Sequence, residues 1–100
     1  MKITITSKKY DAKTGVSTTR ERGFAVADIG KCLRHLLLGE ENEYAGAVAD
    51  ASRALSVPRR RLRAELASCI LDMLDGLEQK GEYAVEITDG EKGEGHDIDA

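Results

Sequence analysis

Residues 57–80 read VPRRRLRAELASCILDMLDGLEQK, and they decide the fold because they predict the longest helix of the chain. Apolar residues recur at the three- and four-residue intervals of one helix face, so this face should cover a core. We expect Ser56 to cap the helix, Pro58 to lie in its first turn and Gly81 to end it. The predicted apolar stripe consists of Leu62, Leu66, Cys69, Ile70, Met73, Leu74 and Leu77, with Leu66, Ile70, Met73 and Leu74 the most deeply buried.

The charges of this helix oppose its own dipole. A helix carries partial positive charge at its N-terminus and partial negative charge at its C-terminus, so an exposed like charge at either end costs roughly 0.3–1 kcal/mol. Other parts of the fold or a bound partner should therefore compensate them. The arginines of the first turns, called the basic run below, are Arg59, Arg60, Arg61 and Arg63, and the acidic residues of the second half are Asp72, Asp75 and Glu78.

The basic run has three interpretations. The first is internal pairing, because Arg61 and Glu65 stand at i,i+4 spacing and acidic residues elsewhere could fold over the helix start. The second is a protein partner whose carboxylates the arginines bind in bidentate pairs, and the third is nucleic acid. We expect the stems of Arg59 and Arg63 to pack locally. Arg60 and Arg61 should point outward as contact residues. The other acidic residues available for internal pairing are Glu40, Glu41, Glu43 and Asp50.

Residues 46–66 resemble a helix-turn-helix motif. Two predicted helices meet at residues 55–57 (LSV), and basic residues begin the second helix, as in a recognition helix. The turn lacks the usual glycine, and Glu65 occupies a position that is normally apolar. A hairpin of two packed helices explains the same pattern, so DNA or RNA binding is the alternative function.

The two ends of the chain predict strands of one sheet. Residues 2–6 alternate apolar and polar, and residues 11–15 (DAKTG) predict a tight turn into a second strand over about 16–22. This second strand has few large apolar residues, so we place it at the sheet edge, where Arg20 and Arg22 would block pairing with another chain. The last strand should pair with the first. The apolar residues of that pair are Ile3, Ile5, Tyr83, Val85 and Ile87.

Two shorter helices should precede the long one. Asp28 can cap a helix that runs to about Leu38 and ends at Gly39, where a left-handed residue is expected. Residues 40–43, rich in glutamate, open the next helix on the favourable side of its dipole. The apolar faces are Ile29, Cys32, Leu33, Leu36 and Leu37 in the first helix and Tyr44, Ala47, Val48, Ala51 and Leu55 in the second.

These elements predict an α+β fold in the order β-β-α-α-α-β, with a three-stranded antiparallel or mixed sheet and helices packed on one face. Residues 1–88 form the single domain, with 14 Lys/Arg against 13 Asp/Glu. Residues 89–100 carry five acidic residues and one lysine, and we expect a disordered acidic tail that folding does not need. The nearly neutral domain argues against a general nucleic-acid binder.

Few residues suggest chemistry. Cys32 and Cys69 fall on apolar helix faces, so we expect free, buried thiols in a reducing compartment. Together with His35 and His96 they lack the close pairs of a zinc site, so we expect no metal, and we place His35 at the surface or its boundary. The sequence has neither a Gly-rich phosphate loop nor a nucleophile–base–acid set, so we expect no cofactor and no catalysis.

The sequence therefore predicts a non-enzymatic, cytoplasmic binding module without a membrane-spanning segment. It should dock through the basic run onto a larger protein or nucleoprotein complex as an inhibitor or adaptor. Small chains of this kind include phage-encoded inhibitors of host defence such as anti-CRISPR proteins. A homodimer is a further expectation, because the consecutive Leu36, Leu37 and Leu38 cover about 200° of a helix and cannot all face one core.

Overall fold

The computed structural model describes residues 1–76 and 81–89, and its elements follow the predicted order. They are β1 (Lys2–Asp11), β2 (Val16–Ala25), α1 (Ile29–Leu38), α2 (Glu43–Leu55), α3 (Arg59–Asp75) and β3 (Glu82–Asp89). The predicted α+β fold, with three helices and a three-stranded mixed sheet, is confirmed. Asp89, the first residue of the predicted tail, ends β3, and the rest of that tail lies outside the described residues.

The sheet has β1 at its centre, in the strand order β2-β1-β3. β1 and β2 form an antiparallel hairpin whose turn is closed by Gly15, with a φ of 72° and its N–H donating to the Asp11 carbonyl at 2.7 Å. β1 and β3 run parallel, with Ile5 beside Val85. The prediction that the first and last strands are neighbours, with β2 at the edge, is confirmed. Parallel neighbours need a long crossover, and the three helices supply it.

Because side chains alternate along each strand, the sheet has one face that the helices cover, called the helix face below, and one face that is open to solvent. Ile3, Ile5 and Ser7 of β1 are buried. Lys8 points to the opposite face, where its Nζ lies 3.0 Å from Oε2 of Glu86. Successive side chains of a strand point to opposite faces, so the helices cover the first set and leave the second to solvent.

The arginines of β2 lie on the helix face. The antiparallel register places Arg20 and Arg22 opposite buried positions of β1, and directly paired residues share a face. Arg22 Nε donates to Oδ2 of Asp50 at 2.9 Å, and Arg20 Nη1 donates to Oγ of Ser56 at 2.6 Å. Both arginines thus tie the edge strand to α2 and to the turn after it, a role that the sequence did not indicate.

The apolar stripe of α3 supplies a large share of the core. The residues of α3 that are buried are Leu62, Leu66, Ala67, Ile70 and Met73. Cys69 and Leu74 are only half-buried, so the prediction of deep burial is wrong for Leu74. Leu77, the last residue of the predicted stripe, lies outside the described residues.

α3 differs from the predicted helix at both ends. Pro58 occupies the N-cap position, one residue before the helix begins at Arg59, and Gly76 follows its last residue, Asp75. Gly81, which was expected to end the helix, instead precedes β3 with a φ of 82°, and residues 77–80 lie outside the described part of the chain.

Ser56 caps α2 rather than α3, which corrects the prediction. It adopts a left-handed conformation with φ 58° and ψ 43°, and its N–H donates to the Ser52 carbonyl. The chain must turn sharply here, because only Ser56, Val57 and Pro58 separate α2 from α3. A residue in the left-handed conformation allows this short connection, but that conformation strains the backbone of any residue other than glycine.

The two shorter helices begin and end largely as predicted. Asp28 Oδ1 accepts from Lys31 N at 3.0 Å, and Gly39 ends α1 with a φ of 76°. α2 starts at Glu43, with Asn42 as its cap, so the preceding glutamates lie outside the helix. The residues of the predicted apolar faces that are buried are Cys32, Leu36, Tyr44, Val48, Ala51 and Leu55, whereas Ile29, Leu33 and Ala47 are half-buried and Leu37 is exposed.

His35 is buried, at 4% exposure, so its predicted surface position is wrong. Its Nδ1 lies 2.9 Å from the Glu40 carbonyl oxygen. A carbonyl can only accept, so Nδ1 carries the proton in this hydrogen bond. In the described part of the chain, Nε2 has no partner. The imidazole thus fastens the end of α1 to the loop that leads to α2.

We predict that Ile70→Ala lowers the free energy of unfolding by about 2–5 kcal/mol, because the truncation removes buried surface and leaves a cavity. Urea denaturation measures this loss. The adjacent Leu71 is exposed, so Leu71→Ala serves as the control and should stay within about 0.5 kcal/mol of the parent. Equal midpoints for the two variants would contradict the packing of α3.

We also predict that Ser56→Gly is about 1 kcal/mol more stable than Ser56→Ala. Both variants lose the hydroxyl that accepts from Arg20, so the comparison isolates the left-handed backbone conformation, which only glycine adopts without strain. Thermal unfolding of the pair measures the difference. A Gly variant that melts below the Ala variant would show that Ser56 is not left-handed in solution.

Candidate functional site

The basic run lies at the start of α3, beside the turn from α2. Arg59 and Arg60 are exposed, whereas Arg61 and Arg63 are half-buried. No described side chain caps this end of the helix, where Pro58 holds the N-cap position. The first N–H groups of α3 therefore add their partial positive charge to that of the arginines.

Three of the acidic residues that could have neutralised the basic run, Glu40, Glu43 and Asp50, bind other cations instead. The ion pairs are Arg34–Glu40, Lys31–Glu43, Arg22–Asp50 and Arg53–Asp50. Among the described side chains, those of residues 1–76 and 81–88, no acidic group lies in ion-pair distance of Arg59, Arg60 or Arg63. Internal pairing by the residues considered above is therefore wrong for these three arginines.

Arg61 points toward the sheet, which corrects the expectation that it points outward. Its Nη2 donates to the Thr88 carbonyl at 3.0 Å, so it links α3 to the end of β3. Arg60 is exposed, as predicted, and Arg63 is half-buried, in keeping with a stem that packs locally. Arg59 is exposed rather than packed. The outward-facing members of the basic run are thus Arg59 and Arg60.

A cavity of about 150 Å³, called the basic cavity below, lies between the α2–α3 turn and the helix face of the sheet. Three cationic side chains from three different elements line it, and none of its described lining residues is acidic. The cations are Lys9, Arg20 and Arg61, the hydroxyl groups are those of Ser7, Thr18 and Ser56, and the apolar walls are Leu55, Val57, Pro58 and Ile87.

Sequence reasoning missed the basic cavity. The available signal was the alternation of β1, which puts Ser7 and Lys9 on the same face as the buried Ile5. That face should be apolar throughout if it only covered a core, so two polar residues at its end mark a place where the core stops. The residues from β2 and α3 that complete the cavity could not be assigned to it without the register.

An open groove of about 260 Å³ on the other side of α3 has the opposite charge. Its acidic residues are Glu65, Asp72 and Glu86, and its other lining residues are Ser68, Cys69, Tyr83, Ala84 and Val85. Among the residues that the structure describes, no group of three His, Cys, Asp or Glu side chains is arranged to hold a metal ion. This groove is called the acidic groove below. α3 thus has a basic N-terminal end and an acidic groove along one side.

The two cysteines are free thiols, and Cys32 is fully buried whereas Cys69 is half-buried. Burial raises the pKa of the Cys32 thiol to about 11. Burial, with a smaller contribution from the nearby Asp72 carboxylate, raises the pKa of Cys69 to about 11 as well. Because the thiolate is the nucleophilic form, neither cysteine is activated for chemistry at neutral pH.

None of the family models, curated proteins and solved structures with which the chain was compared matches it. Within the described ranges, no helix has the length and apolar character needed to cross a membrane.

We predict slow alkylation of both thiols by iodoacetamide at pH 7. The raised pKa keeps each thiol protonated, and the rate should climb as the pH approaches 11 rather than the ordinary 9.0. Mass spectrometry of the labelled protein measures the rates, and urea-unfolded protein at the same pH is the control, which should react faster. Equal rates in the folded and unfolded states would contradict the burial of Cys32.

Proposed function

We propose that this protein is a non-enzymatic binding module that docks through the start of α3 onto a larger protein or nucleoprotein complex. It acts there as an inhibitor or adaptor. Arg59, Arg60 and Arg63 make the contact, and Arg61 borders it on the sheet side. Inhibition of a host-defence complex, as by small phage-encoded proteins, is one form that such a role takes.

The observation that carries this proposal is the uncompensated charge of the basic run. Arg59 and Arg60 are exposed at a helix end where positive charge is unfavourable, and no described acidic residue pairs with them. A partner's carboxylates would offset this cost through short, bidentate hydrogen bonds to the guanidinium groups. Docking would thus turn an unfavourable feature of the free protein into binding free energy.

A protein partner is favoured because the exposed side of α3 changes sign along its length. Arg60 and Asp75 are both exposed and lie about 22 Å apart along the helix, with the exposed Leu71 between them. A protein surface can match both charges and the leucine. A nucleic-acid backbone would match only the basic end, and the acidic groove along Glu65 and Asp72 would repel it.

Nucleic-acid binding is the second candidate, and the turn before α3 favours it. Helix-turn-helix motifs join their helices by three or four residues, often with a glycine. Here three residues form the turn, and Ser56 is left-handed, the conformation that glycine adopts most easily. α3 would then be the recognition helix, whose N-terminal residues contact the nucleic acid.

Compartment and self-association complete the proposal. Free thiols at Cys32 and Cys69 support a reducing compartment such as the cytoplasm.

Leu37 and Leu38 are 56% and 77% exposed beside the buried Leu36, so the described fold covers only one of the three leucines. A homodimer through this end of α1 would cover the others.

We predict that Arg59→Gln/Arg60→Gln leaves the melting temperature equal or higher, because two unfavourable charges leave the helix start, while binding of the partner is lost. Affinity capture from the cell of origin, with and without nuclease, measures binding. The control is Lys2→Gln/Lys13→Gln, which removes the same charge from exposed positions away from α3 and should bind as the parent does.

The outcomes separate the candidates. A partner that survives nuclease and disappears with the arginine variant supports protein docking. A nuclease-sensitive partner whose affinity falls steeply with salt supports the nucleic-acid candidate. A destabilised arginine variant that still captures its partner would contradict both, because the arginines would then serve the fold.

A further inference from the structure

We propose that residues 90–100, called the acidic segment below, dock on the basic run and shield it from other acidic ligands. The acidic segment lies outside the described residues and follows β3 directly. The chain itself thus supplies an occupant for the start of α3. The shielding rests on the docking function proposed above, whereas the intramolecular contact does not depend on it.

The last strand delivers the acidic segment to the start of α3. Arg61 Nη2 donates to the Thr88 carbonyl at 3.0 Å, so the end of β3 lies against the basic run. The parallel register places Asp89, the last residue of β3, beside Lys9. Lys9 and Arg61 both line the basic cavity. The acidic part of the chain therefore begins next to cations.

The acidic segment and the basic run have opposite charge. The segment contains four acidic residues and one lysine, whereas the basic run consists of four arginines. Arg59 and Arg60 are exposed, and among the described side chains no acidic group lies in ion-pair distance of either. Carboxylates are favourable at a helix N-terminus, where these arginines are not. The acidic residues that would compensate them are Glu91, Glu94, Asp97 and Asp99.

The acidic segment is long enough to cover the basic run. Arg59 and Arg60 directly precede Arg61 in α3, and a helix rises only about 1.5 Å per residue, so all three lie within one turn. An extended chain of eleven residues spans up to about 36–40 Å, far more than that turn requires. A short tether also raises the effective concentration of the attached group, so individually weak ion pairs add up to occupancy.

The acidic groove makes the opposite side of α3 unfavourable for the acidic segment. Its residues Glu65 and Asp72 form no ion pair with any described side chain, so they would repel further carboxylates. Such fields act over about 8 Å at physiological ionic strength. A segment that leaves β3 is therefore repelled on one side of α3 and attracted at its start.

NMR spectra of the isotope-labelled full chain test the contact. Glu91→Gln/Glu94→Gln/Asp97→Asn leaves one acidic residue and one lysine in the acidic segment. We therefore expect the backbone and guanidinium N–H signals of Arg59 and Arg60 to shift. Added salt should move the parent's signals toward those of this variant, because salt screens the same attraction.

The charge control is Glu21→Gln/Glu41→Gln/Glu82→Gln. It removes three carboxylates from exposed positions that neither belong to α3 nor line the basic cavity, so the arginine signals should stay in place. Melting temperatures verify that both variants are folded. The contact is overturned if the two variants move the signals equally. It is also overturned if the difference between parent and segment variant grows with protein concentration, because a second copy would then supply the segment.

Shielding is measured with an oligoglutamate peptide, a probe that offers only carboxylates. The segment variant should bind the peptide about fivefold or more tightly than the parent, because its own segment no longer competes. Arg59→Gln/Arg60→Gln should weaken peptide binding in both backgrounds and abolish this difference. Equal affinities of parent and segment variant would overturn the shielding. If the peptide binds neither protein while the NMR contrast persists, the docking function and the shielding fail together and the intramolecular contact stands.

Discussion

The parallel pairing of β1 with β3 is the constraint on which the rest of the structure depends. β2 occupies one side of β1, so the last strand can reach the other side only after a crossover. All three helices fall within that crossover and pack on the face that holds Ile3 and Ile5. The start of α3 consequently lies near the carboxyl ends of β1 and β3, where its positive potential meets Lys9 and the end of the core.

The edge strand explains why this end of the molecule is a cavity rather than packed core. β2 presents Arg20, Arg22 and Thr18 to the helices where a third apolar row would otherwise lie. Its attachment is therefore polar, through Asp50 and Ser56. A strand that contributes charge instead of apolar volume leaves space beneath the α2–α3 turn, and polar and cationic side chains line part of that space.

Local signals predicted the fold well because they act over a few residues. The alternation of β1, the cap at Asp28 and the spacing of the α3 stripe each arise within one element, and the structure has all three. The site was harder to predict, since Arg61 binds Thr88 27 positions away and the cavity joins residues of β1, β2 and α3. The surface position predicted for His35 was wrong for a similar reason. The loop that covers the imidazole follows α1 in the chain, and its hydrogen-bond partner is a main-chain carbonyl, which no pattern of side chains reveals.

The register that pairs Lys2 with Glu82 also has a consequence for synthesis on the ribosome. The hairpin and the helices can form while the chain emerges, but β1 keeps one open edge until residues 82–89 have been made. Contacts between such distant segments slow folding, and unpaired strand edges expose a nascent chain to aggregation. β1 is thus made before its parallel partner, so its edge stays open in the nascent chain until β3 arrives.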